Sequence, residues 1–372
     1  SSSSMVETEK FKREIAMETI QEEQKVNGLE RSQSTSSPGK TFKILSIDGG
    51  GIKGLYPARI LQLIEEQYQI KIADQFDMIC GTSTGGLIAL ALSIKKPASE
   101  LVSLYQDKGQ DIFPNPTNKF DKAIQRLRQI LWGGKYKNDS LQNSLSELFG
   151  EAKLKDALTY LCIPSFNLTL GMPRVFKNPH LNGNLFKDAD ITMVDVALAT
   201  SAAPSYLPIH QINNALYCDG GMWANNPSLC GLLEALDYFV GDGKPFSSYS
   251  ILSLPTISNP TGWTGESQKK NLSLADWKGK ILNPSMDGQA YFTDFFTSKI
   301  VNFTKAKGEY LRINQPVLSA EQFSLIALDN TSDAALKLLT ELGDQAGAEL
   351  ISKRVFDSFI TQTKHQGVQN NV

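Results

Sequence analysis

The sequence predicts an α/β fold of three layers, a mostly parallel central sheet flanked by helices, and three stretches predict it. Phe42–Ile47 is a short apolar run closed by Asp48 and three glycines, the pattern of a buried strand entering a tight turn. Ala58–Tyr68 places Ile60, Leu61, Ile64 and Tyr68 on one helical face, with Pro57 tolerated in the first turn. Phe76–Cys80 reads as a second strand, followed by a serine between glycines and then by Gly86–Ile94, apolar enough to require a buried helix. Strand, glycine turn and helix, repeated, build a parallel sheet, because parallel neighbours need a crossover that leaves helices on the faces. Tyr249–Leu254 adds a further strand and Asp333–Phe359 a late helix. Asp111–Gly183 alternates helical stretches with Pro- and Asn-rich loops and yields no clear elements.

Composition narrows the function. The chain has 372 residues, 41% hydrophobic and 20% charged, as in a globular protein with a sizeable core. Its 37 basic and 39 acidic residues leave a net charge of -2, which gives no general attraction to a nucleic acid polymer. Cys80, Cys162, Cys218 and Cys230 form no CxxC pair and have no histidine at metal-ligand spacing. They read as reduced packing thiols of a cytoplasmic protein with no metal site. The polar N-terminus predicts no secretory signal, and the longest apolar run, Leu87–Ile94, is far short of the roughly 18 residues of a membrane span. If the substrate is a membrane lipid, the protein meets it by peripheral association. Residues 1–41 read as a polar extension, a charged stretch with a thin Phe11, Ile15, Ile20 stripe and then a linker. Residues 42–360 form the folded body and 361–372 a polar tail.

Chemistry concentrates at two glycine turns and one aspartate. Gly81-Thr82-Ser83-Thr84-Gly85 is a G-x-S-x-G pentapeptide between a predicted strand and a predicted helix, a nucleophile elbow that lifts Ser83 out of the sheet. Asp48-Gly49-Gly50-Gly51-Ile52-Lys53-Gly54 lets successive backbone N–H groups converge on an anion. That anion is either a nucleotide phosphate or the oxyanion of an acyl transfer. Gly49, Gly51 and Gly54 satisfy G-x-G-x-x-G with Asp74 as ribose partner, which makes a Rossmann-like nucleotide-binding module the alternative. That alternative leaves the serine elbow without a role. A serine needs a base, and the three histidines fit poorly. His180 and His210 precede Asp219, and His365 lies in the polar tail. Asp219, in the turn Asp219-Gly220-Gly221 after a short apolar run, is the better base.

At these residues the sequence resembles the patatin-like phospholipase family, whose oxyanion loop, serine elbow and Asp-Gly-Gly base turn occur here in order. The likeness spans roughly residues 42 to 255, including Ala199–Pro208 and Tyr249–Pro255, with a looser echo in Ala327–Glu349. Pro255 departs from it, standing where the family usually carries glycine. The resemblance implies a Ser83–Asp219 dyad, oxyanion donors at Gly49, Gly50 and Gly51, and Lys53 orienting the loop or meeting a phosphate headgroup. It implies an acyl-enzyme on Ser83, cleavage of phospholipid acyl esters and no metal or organic cofactor. Bacterial members include membrane-degrading defence effectors switched on by a cyclic nucleotide, so the implied partners are membrane phospholipid and a cyclic-nucleotide activator; a homo-oligomer is a separate expectation. A general esterase or housekeeping lipase is the other role the family allows. Met172, Phe176, Leu207, Met222 and Trp223 are candidates for an acyl pocket. A free aspartate, with pKa about 3.9, is a weak base, so the dyad requires Asp219 to be buried or hydrogen-bonded to Ser83.

Overall fold

The computed structural model describes residues 39–112, 135–180, 186–204, 207–258, 282–326 and 330–360. The predicted charged stretch at the N-terminus and the C-terminal tail with His365 lie outside the described residues. The predicted linker overruns slightly, because Thr41 already opens the first strand.

An eight-stranded sheet organises the chain. Its parallel part runs β3 (Tyr160–Asn167), β2 (Met78–Gly81), β1 (Thr41–Ile47), β7 (Ser248–Leu254) and β8 (Lys307–Arg312). Beyond β3 the pairing turns antiparallel through β4 (Met172–Phe176), β6 (Ala215–Asp219) and β5 (His210–Ile212). The central strands read as continuous apolar runs because both faces are covered. Leu45, Ile47, Ile79, Leu161, Ile163, Leu252 and Leu254 point to one layer, and Phe42, Ile44, Met78, Cys80, Tyr160, Cys162 and Ile251 to the other. On the first side lie α1 (Leu55–Tyr68), α2 (Thr84–Ser93), α3 (Ala98–Ile112), α4 (Lys135–Phe149) and α5 (Met193–Ser201). After the four-residue α6 (Gly221–Ala224), helix α7 (Ser228–Tyr238) covers the second. Helix α8 (Leu282–Ile300) packs on α6 and α7, and α9 (Ala320–Leu325) leads to α10 (Asp333–Ser352), which lies along α1.

Two elements differ from expectation for identifiable reasons. Strand β3, central to the sheet, holds Pro164, and a proline argues against an interior strand because it cannot donate to the ladder. It is tolerated here because pairing with β2 stops at Cys162 and the residues beyond turn to β4 and β6. The predicted helix Asp333–Phe359 ends at Ser352. Arg354 takes a left-handed conformation (φ 55), and a short 3-10 turn carries Phe359 back onto Phe76, ring centroids 5.6 Å apart. Among the described residues no helix is long and apolar enough to cross a membrane.

Phe42 fixes the second layer, stacking on Phe239 at 4.9 Å and meeting Phe246 edge-on at 5.0 Å. Phe42→Ala is expected to destabilise the fold by about 3–5 kcal/mol, read as a fall in the urea midpoint.

Candidate active site

Ser83 sits between β2 and α2 at φ 54, ψ −120, a conformation that a non-glycine residue adopts only under constraint. The flanking glycines make the constraint possible. A Cβ on Gly81 would stand 2.0 Å from the Gly85 carbonyl oxygen, and one on Gly85 would stand 2.2 Å from the Ile47 oxygen. The elbow is also tied from outside. The Ser83 N–H donates to Thr200 Oγ1 at 2.9 Å, and that hydroxyl donates to the Pro164 carbonyl at 2.5 Å. Thr82 Oγ1 donates to the Ala224 carbonyl at 2.6 Å. Ser83 caps α2, so the positive end of that helix faces the serine.

Asp219 ends β6, opposite Ser165 of β3, and its N–H donates to the Ala202 carbonyl at 3.0 Å. Its carboxylate is buried, accepts the Gly221 N–H at 2.6 Å and lies within electrostatic reach of the Ser83 hydroxyl. Burial lifts its pKa from 3.8 to about 6, with the Ser83 hydroxyl and the Gly221 N–H opposing the rise. Desolvation therefore gives this carboxylate a higher proton affinity than a free aspartate has. As the sequence suggests, His180 and His210 play no part in this contact. His180 bonds Glu234 at 2.8 Å among the aromatics of the second layer, and His210 bonds Asp195 at 2.9 Å.

The glycine loop lies against the elbow, since a Cβ on Gly49 would approach Ser83 Cβ to 3.3 Å. Of its three expected donors, one is already spent. The Gly49 N–H is already given to the Asn225 carbonyl at 3.0 Å, whereas no acceptor among the described residues takes the Gly50 or Gly51 N–H. Thr256, next to the aberrant Pro255, clamps the loop by donating to the Gly49 carbonyl at 2.6 Å. Burial lowers the Lys53 pKa to about 8, opposed by Asp287 on α8. Lys53 shares a cleft with Gly50, Asn225, Met286 and Asp287. Asn225 Oδ1 is buried there without a hydrogen-bond partner among the described residues.

Sequence reasoning missed Arg312. From β8 it grips Asp48 with both arms, Nη1 to Oδ1 at 3.1 Å and Nη2 to Oδ2 at 2.5 Å, while Nη1 also reaches Ser253 Oγ at 2.8 Å. Burial raises the Asp48 pKa and the guanidinium opposes it. The pair fixes the residue from which the glycine loop springs. Nothing short-range signals it, because the partners are 264 positions apart. Of the expected acyl-pocket residues, Phe176 is instead core, packed on Tyr217 at 5.2 Å, and Trp223 donates its indole N–H to the Ser165 carbonyl at 2.8 Å.

The geometry also decides against the dinucleotide alternative. Asp74 precedes β2, at the opposite edge of the parallel sheet from the glycine loop that follows β1, and it pairs with Lys95 at 2.8 Å. A ribose partner belongs on the same edge as the loop.

A glycine-framed serine elbow facing a buried carboxylate defines a serine-type ester hydrolase. The sequence profile of the patatin-like phospholipase family matches residues 45–229. The cGAMP-activated phospholipase of Escherichia coli is 32% identical over 82% of this chain and 88% of its own length. That of Vibrio cholerae is 32% identical over 84% and 92%, and patatin-like protein 1 of Arabidopsis thaliana 28% identical over 90% and 87%. The chain belongs to the patatin-like phospholipase family.

Because the folded-state pKa of Asp219 lies above its unfolded value, the ionised carboxylate weakens the fold above about pH 6, and the weakening is gone below 3.8. Asp219→Asn is therefore expected to stabilise the protein by up to ~3 kcal/mol at pH 8 in urea unfolding, with the gain vanishing near pH 4.

Proposed function

We propose that the protein cleaves fatty-acyl esters of membrane phospholipids with Ser83 as nucleophile and Asp219 as base. The observation that carries this reading is the buried Asp219 carboxylate, its pKa raised to about 6, beside the hydroxyl of the strained elbow. Asp219 takes the Ser83 proton as Oγ attacks the ester carbonyl, and the unspent N–H groups of Gly50 and Gly51 receive the oxyanion, each such donor being worth about 3–4 kcal/mol. Collapse expels the lysophospholipid alkoxide, which takes the proton from Asp219. Water then attacks the acyl-enzyme, with Asp219 handling its proton, and releases the fatty acid and Ser83. Arg312 holds Asp48 and thereby the loop, and Lys53 at the cleft offers its cation to a phosphate headgroup.

The names of the Escherichia coli and Vibrio cholerae relatives support an activation by a cyclic nucleotide such as cGAMP, and with it a role in defence through degradation of the cell's own membrane. The protein acts in the cytoplasm and associates with the membrane peripherally.

The test is fatty-acid release from mixed phospholipid vesicles with and without a panel of cyclic nucleotides. Ser83→Ala and Asp219→Ala are each expected to lose about 10³-fold or more, with folding intact. The wild-type rate is expected to fall as pH drops through about 6, where Asp219 protonates. Release that survives Ser83→Ala, or no release under any condition, contradicts the reading.

A further inference from the structure

Helix α8 turns its small and polar residues inward and its aromatics outward. Ala290, Thr293 and Thr297 are buried, and Met286 and Asp287 reach the cleft beside Lys53. At about 100° per residue, Tyr291, Phe292, Phe295 and Phe296 gather on the opposite side. They are 77, 62, 56 and 38% exposed, and Phe303, just past the helix, is 80% exposed. The Phe292 and Phe296 rings stack at 5.9 Å, so at least these two form one apolar surface on that side. A contiguous exposed apolar surface of this kind marks a contact with something other than water.

The rim identifies what that contact is. Lys299 stands 5.6 Å from the Phe295 ring, and Lys305 and Lys307 are exposed just beyond, with Glu309 as the one exposed acid of that stretch. Aromatic rings edged by lysines suit the headgroup region of a bilayer, where rings sit among glycerol and carbonyl groups and ammonium groups meet phosphates. An isologous contact between two copies would bring the lysine-edged band against itself, which like charges oppose. The band is also continuous with the site. Helix α6, immediately after Asp219, packs on α8 and leaves Met222 38% exposed, and the inner side of α8 lines the cleft.

We propose that the outer face of α8, with Phe303, docks on an anionic phospholipid bilayer and so presents the serine elbow to its substrate. The inference rests on the acyl-hydrolase reading and says where the protein meets its lipid.

The test adds Phe292→Ser and Phe295→Ser together to full-length Ser83→Ala protein, which cannot consume its target. Sedimentation is measured with vesicles of phosphatidylethanolamine and phosphatidylglycerol, with cyclic nucleotides present throughout. Ser83→Ala alone is expected to sediment with the vesicles, and the added serines to weaken binding by roughly tenfold or more. With Ser83 restored, the double variant is expected to lose vesicle hydrolysis by a similar factor while retaining turnover of monomeric p-nitrophenyl butyrate. Unchanged vesicle binding overturns the proposal. So does an equal loss on the monomeric ester, or a fall in solution mass by light scattering with vesicle binding intact, which assigns the face to a second copy. Wild-type protein that hydrolyses neither ester contradicts the acyl-hydrolase reading instead, and sedimentation then judges docking by itself.

Discussion

The backbone at Ser83 is the constraint on which the rest of the structure depends. A non-glycine residue at φ 54 and ψ −120 costs about 1–3 kcal/mol and persists only where its surroundings leave no alternative. Here the surroundings do so from every side. Gly81 and Gly85 allow backbone to touch backbone, Thr200 ties the Ser83 N–H to β3, and Thr82 is anchored to α6. The same demand explains why α2 begins with glycines and stays small and apolar, since it runs under the sheet's first layer with every residue buried.

Two buried aspartates flank this elbow, and their surroundings push them toward different tasks. Asp48 is gripped by Arg312, so its charge is compensated and its position fixed, which suits a residue that holds a loop. Asp219 accepts the Gly221 N–H and lies beside the Ser83 hydroxyl, without a cation among the causes that set its pKa. Its carboxylate is accordingly proton-hungry, which suits the proposed base. Among the described residues no histidine joins serine and carboxylate, and in the proposed mechanism desolvation takes over the tuning that an imidazole otherwise provides.

Much of this was legible because it is local. Strand β1, helix α1, strand β2 and helix α2 announce themselves by apolar spacing and glycine turns, and so does the elbow. Ser83 and Asp219 come into contact through β3, which lies between β2 and β6, and that strand was obscured by Pro164. Arg312 was invisible because it acts across the whole length of the chain. Gly49 looked like a donor because its N–H is not seen to be spent on Asn225 until the chain is folded. The helix over Asp333–Phe359 was overextended because the closing turn is dictated by where Phe356 and Phe359 bury, not by local pattern.

The most direct measurement of the central claim is covalent trapping of the nucleophile. The protein would be incubated with an alkyl fluorophosphonate across pH 4.5 to 8 and digested, and the labelled peptide found by mass spectrometry. The account predicts a single adduct on Ser83, with a labelling rate that falls as pH drops through about 6, where Asp219 gains its proton. An adduct on another residue, or a Ser83 labelling rate that Asp219→Asn leaves unchanged, would contradict it.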